Sequence, residues 1–137
     1  MYNATKWRDA CPQSGLGNLP GLINATQTMS EDCLYLSVWT PQVEKANRAV
    51  MVWIHGGGYY GGSIFNSLEN GAHFASHGDL VLVSINYRLG AFGFLYGVTS
   101  DAPGNLGLHD QILALHWVKE NIARFGGNPN EVTIFGE

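Results

Sequence analysis

Two stretches, "AVMVWIH" (49–55) and "LVLVSINY" (80–87), are near-continuous runs of β-branched and apolar residues. A strand with one wet face alternates apolar with polar residues. A run without that alternation marks a strand covered on both faces, as in a sheet held between helices. The surrounding segments fit such a sheet. "CLYLSVWTP" (33–41) sets Leu34, Leu36 and Val38 against Tyr35, Ser37 and Trp39 and stops at Pro41, which predicts a further strand. Residues 66–77 have room for a short helix carrying Leu68, Ala72 and Phe74 or Ala75. Leu108, Ile112, Leu115, Trp117 or Val118, Ile122 and Phe125 recur at helical spacing, and Gly126-Gly127 followed by Pro129 closes that helix. "EVTIFG" (131–136) is a last strand. Strand, glycine loop, strand, long helix and strand make an α/β alternation, with no internal repeat.

At 137 residues the chain is one domain or a piece of one. Charged residues make up 13%, about half the usual share of roughly 25%, which suits buried strands and also suits a fragment whose apolar faces expect neighbours. The net charge of −4, with no basic patch, argues against nucleic acid as a partner. No apolar run approaches the ~18 residues of a transmembrane helix, and "MYNATKWRDAC" lacks the apolar stretch of a signal peptide. Two features point outward nonetheless. Cys11 and Cys33 are the only cysteines, and Asn3-Ala4-Thr5 and Asn24-Ala25-Thr26 are glycosylation sequons. Extracellular folding is therefore expected, with a leader lost by truncation. Residues 1–30 are polar, aperiodic and expected to form a loop; a bridge between Cys11 and Cys33 would contribute about 3 kcal/mol by restricting the unfolded chain. Two unpaired buried thiols are the alternative.

Between the two apolar runs lies "HGGGYYGG" (55–62), with five glycines among the seven residues 56–62. Gly56, Gly58 and Gly61 satisfy the spacing of a dinucleotide fingerprint, but that motif needs a helix to begin within the glycines and an acidic residue after the next strand. Here Tyr59 and Tyr60 continue a loop, and the next strand ends in Asn86-Tyr87-Arg88. A second reading is a bend with positive φ and no ligand, but a bend needs fewer glycines than this. The third is an oxyanion hole, in which adjacent N–H groups converge on one point and no Cβ obstructs the substrate; His-Gly-Gly-Gly after a strand is that arrangement. Gly57 and Gly58 would be the donors. Such a site needs a nucleophile on a strand-to-helix turn, G-x-S-x-G, and Thr133-Ile134-Phe135-Gly136-Glu137 ends on that motif's first two positions.

The motifs "SEDCLYLSVWTP", "VMVWIHGGGYYGGS", "VLVSINYRLGAFGF", "APGNLGLHDQILALHWVKENIARFGGNP" and "VTIFGE", in that order, resemble the N-terminal part of the type-B carboxylesterase family, the cholinesterase-like branch of the α/β-hydrolases. The resemblance implies an α/β-hydrolase fold with a mostly parallel central sheet and flanking helices. Residues 1–137 would be a single incomplete domain, with 1–32 a surface loop closed by a disulfide and 33–137 carrying the strands, the glycine loop and the long helix. It further implies serine-type hydrolysis of a small carboxylic ester, secretion, no cofactor, a Cys11–Cys33 disulfide, and oxyanion donors at Gly57 and Gly58. By the same analogy Glu31 and Arg88 form a buried ion pair, Glu137 immediately precedes the nucleophile, and Tyr59 and Tyr60 line the gorge, ordinary packing being the alternative for the tyrosines. The tryptophan that cholinesterases carry inside the disulfide loop is absent from residues 12–32, which favours a general carboxylesterase. The chain alone is expected to be inactive for want of nucleophile, acid and base. The rival is a non-catalytic cholinesterase-like adhesion protein, discriminated by the residue that follows Glu137.

None of the five histidines is expected to act as catalytic base. His55 should shape the glycine loop through hydrogen bonds. His73 and His77 stand four apart but lack the glutamate of H-E-x-x-H and a third ligand, so no metal site is expected. His109 and His116 read as ordinary helix residues. Ser63 and Ser84 lack elbow glycines, and Asp110 is expected to favour the helix dipole.

Overall fold

A computed structural model describes residues 4, 6, 8–13, 28–41, 46–65 and 70–137. The sequons at Asn3 and Asn24 lie outside the described residues. Strands β1 (Leu36–Trp39), β2 (Arg48–Ile54), β3 (Val81–Ile85) and β6 (Gly127–Gly136) form one sheet in the order β1-β3-β2-β6. β2 runs parallel to both β3 and β6, and β1 runs antiparallel to β3. The sheet is thus mixed, with a parallel centre.

The two uninterrupted apolar runs are β2 and β3, which are covered on both sides. On one face Val50, Val52, Val81, Val83 and Ile85 pack against Val118 of helix α3 (Leu106–Asn121) and Ile122 of the 3-10 turn that follows it. On the other, helix α1 (Ala72–Gly78) brings Phe74 against Phe135, ring centroids 6.0 Å apart, and Phe135 meets Trp53 at 4.9 Å. Residues of either parity along β2 and β3 therefore leave water, and the alternation disappears from the sequence. The predicted long helix ends as expected, on Gly126 at φ 83°. Its N-terminal half differs from the expected inward stripe: Leu108 and Ile112 are exposed.

Two elements were not foreseen, the short helix α2 (Gly90–Phe94) and a hairpin of β4 (Tyr96–Thr99) and β5 (Ala102–Pro103). β6 also begins earlier than expected and runs through Pro129, which an edge strand tolerates because an outward-facing position needs no ladder donor.

Cys11 and Cys33 form a disulfide. With Tyr87 and Leu89 it makes a small second core beside Ile54. Ala10 bridges Met29 across the loop it closes, Ala10 N–H donating to Thr28 O and Ser30 N–H to Ala10 O, each at 3.0 Å.

The expected Glu31–Arg88 pair is replaced. Arg88 pairs with Asp110, Nη2 to Oδ1 and Nε to Oδ2 both at 2.7 Å, and its backbone N–H donates to Oδ2 at 3.1 Å. Asp110 is buried, and an unpaired buried carboxylate is costly; Arg88 supplies three donors from directly past the end of β3. Glu31 is exposed. Asp110 lies beyond the first turn of α3, where the helix dipole has faded, so its structural role is this ion pair and not the dipole.

Candidate functional site

The topology creates a crevice. From β2 the chain proceeds to β3 on one side and later to β6 on the other, and the carboxyl ends of all three parallel strands share one edge. Loops leaving adjacent strands at such a switch point diverge and leave a gap, where open α/β sheets place ligands. The glycine loop leaves β2 there, and residue 137 leaves β6 beside it: Ile54 and Gly136 are register partners. A Cβ on Gly136 would come within 2.3 Å of the Ile54 carbonyl oxygen, so the crossing of the two chain segments requires glycine at that point.

The three consecutive glycines have three different surroundings. A Cβ on Gly56 would lie 2.9 Å from the Cβ of Glu137 and 3.0 Å from its Oε2. At Gly57, φ 108°, it would strike the Gly61 carbonyl oxygen at 2.1 Å. At Gly58, φ 60°, it would meet no protein atom within 4 Å. The loop is folded on Gly57, whose carbonyl accepts from Tyr60 N–H at 3.1 Å and Gly61 N–H at 3.3 Å. Among the described residues, the N–H groups of Gly57 and Gly58 donate to no acceptor.

Beyond Gly58 opens a cavity of about 470 Å³ walled by Tyr59, Tyr60, Gly90, Ala91, Phe94 and Leu95. Tyr59 takes a left-handed conformation, φ 65°, and its carbonyl accepts from Gly90 N–H at 2.7 Å. Its ring sits 4.9 Å from Phe94 and 6.3 Å, edge-on, from Tyr87, with half of the residue exposed. Tyr60 is 69% exposed. Phe94, supplied by the unforeseen α2, was not signalled by its sequence context.

The profile of the carboxylesterase family matches residues 1–137. The chain belongs to the carboxylesterase family. It is 51% identical to an acetylcholinesterase of Danio rerio over 144 residues, which cover 100% of this chain and 23% of that relative. Acetylcholinesterase-1 of Trittame loki is 49% identical, with 99% and 25% covered, and a cholinesterase of Mus musculus 47% identical, with 100% and 24% covered. The chain thus spans about a quarter of the length of these relatives.

In this carboxylesterase-family chain His55 braces the glycine loop, as expected. It is 2% exposed, stacks on Tyr87 with ring centroids 4.5 Å apart, and its Nδ1 lies 3.0 Å from the Gly56 carbonyl oxygen, so Nδ1 carries the proton. Tyr87 Oη in turn donates to the His55 carbonyl at 2.8 Å. Burial lowers the His55 pKa, partly opposed by the Gly56 hydrogen bond. The folded chain therefore keeps His55 neutral where the unfolded chain protonates it. Stability is full above the unfolded value of about 6.5 and falls as pH drops below it toward the lower folded-state pKa. In the full-length protein the urea midpoint should fall between pH 7.5 and 5.5, and His55→Asn should flatten that dependence relative to wild type. Equal slopes for the two would contradict the assignment.

The other candidates take ordinary places. His77 Nδ1 turns back on the His73 carbonyl at 2.9 Å, and both side chains are exposed on α1. His109 and His116 are exposed on α3. Among the described residues no three His, Cys, Asp or Glu side chains cluster as metal ligands would. Ser63 Oγ accepts from Phe65 N–H at 3.2 Å, and Ser84 is buried within β3.

Proposed function

We propose that this chain supplies the oxyanion-binding side of the active site of a serine-type carboxylic ester hydrolase, as the N-terminal part of one larger α/β-hydrolase domain. The N–H groups of Gly57 and Gly58 receive the carbonyl oxygen as it becomes anionic in the tetrahedral intermediate. Donors fixed in advance for that charge stabilise it without having to reorganise. Glu137 precedes the nucleophile, and its carboxylate biases the field around it. Tyr60 and the aromatic wall of Tyr59 and Phe94 hold the ester's apolar part. The observation that supports the reading is the Ile54–Gly136 pairing, which sets the start of the glycine loop and residue 137 side by side, with the Gly57 and Gly58 amides unpaired among the described residues. The disulfide fits an oxidising, extracellular compartment.

None of the five histidines placed above is a candidate for the base of a hydrolytic triad, so the 137 residues alone are inactive on this reading. The full-length protein is expected to hydrolyse a short acyl ester and to lose that activity stoichiometrically to an organophosphate, with a serine after Glu137. Assaying a neutral ester beside a choline ester separates a general carboxylesterase from a cholinesterase. Glycine or alanine after Glu137, with no turnover of either ester, would favour a non-catalytic adhesion protein.

A further inference from the structure

The geometry points to Gln13, a residue of the disulfide loop, as the latch that holds the glycine loop in its oxyanion-binding conformation. This rests on the reading of Gly57 and Gly58 given above. Gln13 reaches across 49 positions of sequence to Gly62: the Gly62 N–H donates to Gln13 Oε1 at 2.9 Å, and Gln13 Nε2 donates to the Gly62 carbonyl at 3.0 Å. Nε2 also donates to the Cys11 carbonyl at 3.1 Å, so the amide is fixed at both ends.

The peptide unit that Gln13 holds is the one that bears on Gly57. The carbonyl oxygen of the Gly61–Gly62 peptide is the atom against which a Cβ on Gly57 would clash, and its N–H is the group that Gln13 accepts. A peptide flanked by two glycines can rotate with little steric resistance, because neither side carries a Cβ. Rotation would withdraw the Gly61 carbonyl from beside Gly57 and free the turn that aims the Gly57 and Gly58 amides. On the far side of Gly62, His55 Nδ1 and the Gly56 carbonyl oxygen lie where a Gly62 Cβ would be. Gln13 therefore fixes from outside a peptide that its own residues leave free.

The disulfide fixes Gln13 in turn. Cys11 is buried against Tyr87, the residue whose hydroxyl also holds the carbonyl of His55. One covalent bond and one side-chain amide thus connect the N-terminal loop to both shoulders of the glycine run. Gln13 touches no reacting atom in this account; it is a positioning residue.

The test replaces Gln13 by methionine in the full-length protein, keeping side-chain length and removing both hydrogen bonds to Gly62. Three quantities are read: kcat and KM for a short acyl ester, affinity for an aryl trifluoromethyl ketone, whose serine adduct places an oxyanion between the same donors, and hydrogen exchange across 56–63. Gln13→Met is expected to lower kcat roughly tenfold, less than the about 10²- to 10³-fold of losing a donor outright. KM should stay within about twofold, since the ground state makes little use of the donors. Ketone affinity should fall by the same factor as kcat, and exchange across 56–63 should quicken. Unchanged kcat, or a loss of kcat that leaves ketone affinity intact, overturns the latch while leaving the esterase reading standing. A wild-type protein that neither turns over esters nor binds the ketone sinks the esterase reading and the latch with it. Should Gln13→Met fail to fold, the wild-type Gly62 amide decides: slow exchange supports the latch, and exchange at the rate of an unprotected amide overturns it.

Discussion

Gly58→Ala in the full-length protein is expected to lower kcat/KM for a short acyl ester by about 10²-fold or more while leaving the fold intact. The two halves of that statement come from one observation: a Cβ at this position meets no protein atom within 4 Å, so the methyl group enters the open crevice and not the core. The backbone conformation, φ 60°, costs an L-residue about 1–2 kcal/mol, which a folded domain can absorb. Gly57→Ala should behave differently. Its Cβ would clash with the Gly61 carbonyl at 2.1 Å, so the loop must rearrange, and activity and local order should be lost together. Steady-state kinetics beside circular dichroism and thermal melting distinguish the two. A Gly58→Ala protein with full activity would show that nothing reactive occupies the space beyond that residue.

The second large effect concerns stability. Asp110→Ala is expected to cost about 3 kcal/mol, the low end of what breaking a buried pair from one side costs, because the Arg88 side chain is one-third exposed and can recover some hydration. The loss should be smaller than that of Arg88→Met. Removing the guanidinium leaves a 4%-exposed carboxylate with a single backbone donor, whereas removing Asp110 leaves a guanidinium that water can reach. Glu31→Ala, at an exposed site, should change the urea midpoint little. If Glu31→Ala proved the costlier change, the pairing found here would be wrong.

That ion pair also shows where sequence reading stops. Glu31 and Asp110 are both carboxylates, and nothing local to either says which one Arg88 meets. The answer depends on α3 crossing back over the sheet so that its second turn passes beneath the end of β3. The long-range features that were legible had strong local causes: burial on both faces makes the runs in β2 and β3 continuous, and the left-handed glycine at 126 ends the long helical segment. The hairpin of β4 and β5 had no such cause. Its strands are short and exposed, and Val98 takes φ 59°, contrary to the preference of a β-branched side chain. Helix α2 carries two glycines in five residues, a composition that disfavours helix. Gly93 is needed there because a Cβ would lie 2.2 Å from the Arg88 carbonyl oxygen, a tertiary demand.

The glycine run was legible as a site but not in its detail. One spacing of glycines can serve a bend, a nucleotide or an oxyanion, and nothing in the sequence separates the roles of 56, 57 and 58. The fold assigns Gly56 to Glu137, Gly57 to the loop's own carbonyl, and only Gly58 to open space. Gln13 carried no sequence signal at all, being one polar residue in an aperiodic loop.

The two edges of the crevice are set by neighbouring parallel strands, so their separation is a lattice spacing of about 4.8 Å and not a property of any loop. Substitutions along β2 or β6 can alter packing without changing that gauge. A single-residue insertion or deletion in either strand cannot: it would shift one edge by about 3.3 Å and turn every later side chain to the opposite face. Length variation should therefore be accepted in the β4–β5 hairpin and refused between Val50 and Ile54.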